Sequence, residues 1–197
     1  MKTALIIISI FLLLCLVYVL YSATYNTFSS KPFAAELAEE ALVKAGVDKQ
    51  TWKTALVASE IEVEATPEEV WEHWSRIEEW PEWSSDLHKS AKFTSDQKWV
   101  QGSTFEQILD LGVAGTVTGN ETVKYVDEAK KVMWWKDEGG MKSCHTWVFS
   151  STTPGKTKIT NIEVFDGAII GFMKPLLIPN WQKKFDSGLV NLAARMQ

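Results

Sequence analysis

The sequence predicts an α+β fold in which a curved antiparallel sheet is covered by a long C-terminal helix, preceded by an N-terminal transmembrane helix. Three observations carry that expectation. Between Thr104 and Phe165, strand-like stretches are separated by turn sequences such as Asp137-Glu138-Gly139-Gly140 and Thr153-Pro154-Gly155, and successive strands joined by short turns pair antiparallel. Trp181, Phe185, Leu189, Leu192 and Met196 then recur at helical spacing, a face that needs a sheet to cover. At the other end, Ala4 to Tyr21 is uncharged and would span about 27 Å as a helix, close to the thickness of a bilayer core.

The apolar run is read as a retained membrane anchor, residues 1–23. Its rival is a cleaved signal peptide, but the apolar stretch is long and Tyr21-Ser22-Ala23 is a poor small-x-small cleavage site. Tyr18 and Tyr21 fall where interfacial aromatic anchors are expected. Lys2 and the α-amine precede the span, and the next positive charge is Lys31, a balance that favours the domain on the outer (periplasmic or extracellular) side. Residues 24–53 read as a polar linker followed by a short amphipathic helix. Phe33, Leu37, Ala41 and Ala45 repeat at four-residue spacing, acids lie between them, and Gly46 supplies a stop. That helix is expected to pack on the domain, lie on the membrane or pair with another copy.

Residues 54–197 form the remaining unit. From Val57 to Val63 the odd positions are mostly apolar and the even ones increasingly acidic, the period of a strand with one wet face. Thr66 offers an N-cap hydroxyl, Pro67 suits the first helical turn, and Glu69 completes a capping box. Val70, Trp71, Trp74 and Ile77 share one side of the helix, and Pro81 predicts its end at Trp80. Glu82 to Leu87 is expected to make a second short helix or turn. Strands follow: one beginning near Phe93, then Thr104–Leu109, Val113–Tyr125, Lys131–Lys136, Met141–Ser150 and Lys156–Phe165. Gly115 and Gly119 mark places where the sheet can curve. The last helix starts or kinks at Pro175 or Pro179.

The series I-x-V-x-A-T-P-E-E-V-W from Ile61, followed by W-P-E-W from Trp80, resembles the opening of the START-like polyketide cyclase/dehydrase and lipid-transport superfamily. The resemblance implies the helix-grip fold of the birch pollen allergen: a strand, two short helices, a run of antiparallel strands and a long C-terminal helix enclosing an elongated hydrophobic cavity. It would cover residues 54–197.

Composition narrows the function. A chain of 197 residues, 46% hydrophobic and with 10 Trp, can bury a sizeable core, whereas a net charge of −5 without a Lys/Arg cluster argues against a nucleic-acid partner. The two cysteines, Cys15 and Cys144, and three dispersed histidines offer no metal-site spacing, so neither metal nor cofactor is expected. No G-x-S-x-G, P-loop or H-E-x-x-H pattern occurs.

Strand parity supplies the candidate site. In Met141 to Phe149 the odd positions place His145 on the inner face, where a neutral imidazole can serve a ligand carbonyl or act as acid and base, with Glu163 as a second catalytic candidate. The structural alternative is a histidine satisfied by Glu163 or Asn161 on a neighbouring strand. His73 and His88 are read as solvated or structural. Phe105, Trp147 and Phe149 from the strands, with Phe172, Trp181 and Phe185 from the closing helix, are the expected ligand-binding residues, and Ile169–Ile178 the expected cavity mouth. Most of the remaining tryptophans are read as packing. The function expected is membrane-tethered binding, or transfer, of a hydrophobic small molecule or lipid. The alternatives are a cyclase/dehydratase acting on a hydrophobic substrate in the same cavity, and a membrane-anchored interaction protein using the Lys31–Ala45 helix.

Overall fold

A computed structural model describes residues 2–112 and 115–197. The N-terminal helix α1 (Lys2–Thr24) leads through a polar turn and a single 3₁₀ turn at Pro32–Ala34 into α2 (Ala35–Lys44). The sheet opens with β1 (Thr54–Val63), followed by the short helices α3 (Pro67–Trp74) and α4 (Trp80–Trp83). Six further strands follow: β2 (His88–Phe93), β3 (Thr104–Asp110), β4 (Thr116–Asp127), β5 (Lys131–Glu138), β6 (Met141–Thr153) and β7 (Lys156–Asp166). Helix α5 (Ala168–Ala194) closes the chain. The strands form one antiparallel sheet in the order β1-β7-β6-β5-β4-β3-β2, so the first strand crosses to pair with the last.

Local chemistry explains most boundaries. The Thr66 hydroxyl accepts from the Glu69 amide while the Glu69 carboxylate accepts from the Thr66 amide at 2.7 Å, which satisfies two of the orphan donors at the start of α3. The β5–β6 hairpin turns on Gly139 (φ 60°) and Gly140 (φ 79°), both in the left-handed region that a two-residue turn of this kind demands.

Several expected boundaries are corrected. Helix α3 ends at Trp74, not Trp80; Ile77 lies in a separate 3₁₀ turn and Pro81 sits in the first turn of α4. Proline tolerates an early helical position, so it opens the second helix rather than closing the first. Phe93 ends a strand instead of beginning one. The expected strand start at Val113 lies outside the described residues, and β4 begins at Thr116. Helix α5 starts at Ala168 and runs through both Pro175 and Pro179. Proline has no N–H to offer the carbonyl four residues earlier, and the Gly171 carbonyl instead accepts from the Ser22 hydroxyl of α1 at 2.5 Å.

The wet face of β1 is confined to its second half. Leu56 and Ala58, on the outer side, are covered by Ala34, Ala38, Ala41, Leu42 and Ala45 of the α2 region, which also pack on Met133, Cys144, Ile162 and Val164. Of the predicted stripe, Ala41 and Ala45 are buried against the sheet, Leu37 packs at its margin and Phe33 alone is exposed; Ala34, Ala38 and Leu42 widen the buried face, and the small alanines let the helix approach the sheet closely. On the inner side, Ala55 and Val57 face α5. Gln182 of α5 donates to the Ala58 carbonyl at 2.9 Å and accepts from the Ala58 amide at 3.3 Å, so a side chain occupies hydrogen-bonding positions along the exposed edge of β1.

Candidate functional site

Between the inner face of the sheet and α5 lie two different interiors. One end is solid. Trp74, fully buried, meets Trp71, Trp80, Trp99, Trp147 and Phe149 at ring-centroid distances of 4.6–5.6 Å, and Phe105 packs edge-on against Trp134 at 5.3 Å. Tilted and edge-to-face geometry suits rings whose faces are negative and edges positive. The other end is hollow: a cavity of about 620 Å³, with room for a small amphiphile. Leu109, Leu111, Phe165, Ile170, Leu177 and Trp181 supply its greasy wall, and a line of polar side chains crosses its sheet side.

Register builds that polar line. His145 on β6 stands opposite Trp134 on β5 and Glu163 on β7, and one pleat along the strand Ser143 stands opposite Lys136 and Phe165. On the next strands Gln107 and Gly119 are paired, and Gln107 donates to Glu121 at 3.3 Å. Lys136 donates to the same Glu121 carboxylate at 2.7 Å, a compensated charge pair in which the Glu121 side chain is almost fully buried. Burial, the largest single influence, would weaken the Lys136 ammonium, yet Glu121 with help from Glu163 and Glu138 outweighs it and the lysine pKa is raised.

His145 Nε2 lies 2.6 Å from Asn161 Oδ1, so Nε2 carries the proton and Nδ1 presents a lone pair, 3.5 Å from Glu163 Oε2. Burial pushes the His145 pKa down to about 3 despite the supporting Asn161 bond, and the imidazole is neutral at physiological pH. Glu163 is pushed the other way, to about 8, first by burial and then by the nearby Glu121 charge, with Lys136 opposing. A protonated carboxyl beside a neutral imidazole offers one O–H donor and one nitrogen acceptor to a ligand's hydroxyl or carbonyl. At the junction of hollow and solid interiors, His88 bonds Ser84 Oγ at 2.9 Å and is held near pKa 4 by burial.

The expected site residues divide between these interiors. His145, Glu163, Trp181 and Phe185 line the cavity. Phe105, Trp147 and Phe149 face inward but occupy the aromatic end, so their expected place in the cavity wall is corrected. Strand parity fixes which face a side chain uses, not how far along the groove it falls. Phe172 is also corrected: it points outward and meets Tyr18 of α1 edge-on at 5.1 Å, because helical phase sends 170, 177, 181 and 185 inward and 172 away. Of the expected mouth, Ile170 and Leu177 reach the cavity. The sequence reading missed Gln107, Glu121, Lys136, Ser143 and the lining role of His88. Lys136 and Ser143 were within reach, since counting back from Gly139-Gly140 pairs 138 with 141, 136 with 143 and 134 with 145.

A seven-stranded curled sheet gripping a long C-terminal helix over a partly hollow interior defines a START-like, helix-grip protein. The family described as polyketide cyclase / dehydrase and lipid transport matches residues 54–197, and the chain belongs to it. A START superfamily protein from Mycobacterium smegmatis is 15% identical with a TM-score of 0.55, covering 72% of this chain and 96% of that one. The ginseng major latex-like protein 151 from Panax ginseng is 10% identical with a TM-score of 0.59, covering 73% and 98%. A protein from Thermus thermophilus gives 17% and 0.59 over 72% and 96%. At these identities the likeness is one of fold. No curated protein matches the chain. Family and fold together point to a hydrophobic ligand in the cavity. Helix α1 is long and apolar enough to cross a membrane, a description that a signal sequence also meets.

Proposed function

We propose that this protein is a membrane-tethered binder of a hydrophobic small molecule or lipid, held in the hollow end of the sheet-and-helix interior with its domain on the outer side of the membrane. The observation that supports it best is the lining itself: apolar side chains on the α5 side and a charge-compensated polar line on the sheet side. Such a wall favours an amphiphile with an apolar body and one neutral polar end. Removing the body from water supplies affinity at about 0.8 kcal/mol per buried methylene, while His145 Nδ1 and the Glu163 carboxyl orient the polar end. Ile170, in the cavity wall, immediately precedes Gly171 and Phe172, whose carbonyls accept from Ser22 and Tyr18 of α1, so the cavity lies one helical turn from the anchor. Native mass spectrometry and solvent extraction of the full chain are expected to show a co-purifying apolar molecule or saturable uptake. Absence of both across a broad lipid panel overturns the reading.

A second reading, a cyclase/dehydratase-type enzyme, is favoured by the His145–Glu163 pair facing the cavity. The neutral imidazole accepts a proton at Nδ1 and the protonated carboxyl delivers one. His145→Ala then abolishes turnover while uptake persists; unchanged turnover removes His145 from that role. The interaction-protein reading has less support, because the apolar side of α2 is already used against the sheet.

A further inference from the structure

Beside the end of α1, with no lining residue in common with the ligand cavity, lies a second pocket of about 380 Å³, formed where the chain leaving α1 meets the loop before β1 and one turn of α5. Its walls are mainly polar: Thr24, Tyr25 and Asn26 from the linker, Gln50 and Thr51 from the loop, and Lys174 from α5. Lys174 is only 3% exposed, and among the described residues it makes no ion pair or hydrogen bond; burial alone acts on it, lowering its pKa. Among the described residues no acid lines the pocket. A lysine so largely enclosed and left without a counter-charge keeps its donors free for an anion entering the pocket. The Asn26 Oδ1 is already taken by the Phe28 and Ser29 amides at 2.9 and 3.4 Å, which leaves its Nδ2 free to donate.

We propose that this pocket is an anion site, in which Lys174 and the surrounding amide and hydroxyl donors receive a phosphate group. Two sources share that chemistry: the headgroup of an anionic phospholipid, and soluble phosphate. The position of the pocket favours the first. It opens at the last residues of the apolar helix, where a bilayer would place its headgroups, and Tyr18, Tyr21 and Tyr25 occupy the level at which interfacial aromatics sit. A bound phosphate neutralises the buried ammonium and ties the linker, the β1 loop and α5 together at the membrane surface.

The test uses the full chain in detergent, as wild type, K174M and K174R. Native mass spectrometry against phosphatidylglycerol and phosphatidylcholine is expected to show wild type holding the anionic lipid at least tenfold more tightly, K174R keeping that preference and K174M losing it. Thermal unfolding with inorganic phosphate distinguishes the sources: stabilisation of wild type but not K174M, without a lipid preference, assigns the site to a soluble anion. Equal retention of both lipids by wild type together with no phosphate effect, or an undiminished preference in K174M, overturns the proposal. If K174M fails to fold, the methyl resonances of reductively ¹³C-methylated wild type carry the test. The Lys174 signal is expected to shift on addition of phosphatidylglycerol or phosphate, and a signal that responds to neither overturns the site.

Discussion

Replacing Glu163 with Gln probes the cavity electrostatics through the pH dependence of folding. Each proton bound differently by folded and unfolded chains changes stability by about 1.4 kcal/mol per pH unit. Glu163 has a folded pKa of about 8 against 4.5 when exposed, so between those values the folded protein keeps a proton that the unfolded chain has released. Its contribution is therefore fully present below pH 4.5 and is lost as pH rises through 8. His88 and His145 act in the opposite sense, with folded values near 4 and 3 against 6.5. The unfolded chain takes up two protons below pH 6.5 that the folded chain refuses, so their contribution falls as pH drops toward 4 and 3. Of these three groups only Glu163 binds differently from pH 8 down to 6.5, and its contribution raises stability by about 2 kcal/mol. From pH 6.5 to 4.5 the histidines outweigh it by one proton and stability falls by about 3 kcal/mol, placing a maximum near pH 6.5. Chemical denaturation of the full chain in detergent, repeated across this range, measures both limbs. In E163Q the alkaline limb is level and the acid limb steepens. A wild type without the alkaline rise, or an E163Q protein that retains it, refutes the assignment.

Other perturbations test the packing and the cavity. Trp74→Ala empties the centre of the aromatic end and is expected to cost about 3–5 kcal/mol in thermal or chemical unfolding; a loss below about 1 kcal/mol means the rings close over the gap. Thr66→Ala removes the cap of α3 at a cost of about 1 kcal/mol, read from the same unfolding curves. A Cβ at Gly171 would lie 2.7 Å from the Trp52 ring and 2.8 Å from Lys53 Cα, so Gly171→Ala is expected to destabilise by about 1–3 kcal/mol, and an unchanged melting temperature contradicts that close approach. Ser143→Phe projects a ring into the hollow end and is expected to cut ligand uptake at least tenfold; unaltered uptake places the ligand elsewhere.

The elements legible in the sequence were those governed by local chemistry. Thr66-Pro67 and Glu69 specify the start of α3 whatever surrounds it, and Gly139-Gly140 specifies both a turn and the register of β5 on β6. The β6–β7 register was not countable in the same way. The turn pairs Thr153 with Lys156, but an irregularity near Ser151 shifts the ladder by one residue before His145 meets Glu163. That is why the sequence could name Glu163 and Asn161 as neighbours of His145 without deciding between them; the structure gives it both, Asn161 at Nε2 and Glu163 at Nδ1. The boundary between filled and hollow interior was less legible still, because it depends on how far Trp80 and Trp83 of α4 and Trp99 of the β2–β3 connection reach into one space. The role of Lys174 was hidden for a related reason: in sequence it only interrupts the apolar run 168–178, and the residues that enclose it, in the chain leaving α1 and the loop before β1, lie far away along the chain.

The oxygen that Pro175 strands in α5 is served by a hydroxyl from another helix, and this makes α1, an anchor on the proposed reading, a mechanical neighbour of the hollow interior. A spanning helix adjusts its tilt to the thickness of the bilayer around it. Ser22 and Tyr18 would pass that adjustment to Gly171 and Phe172, directly beside a residue of the chamber wall. Cutting the chain after Thr24 therefore leaves the Gly171 oxygen without its Ser22 donor and loosens the turn of α5 beside the chamber wall.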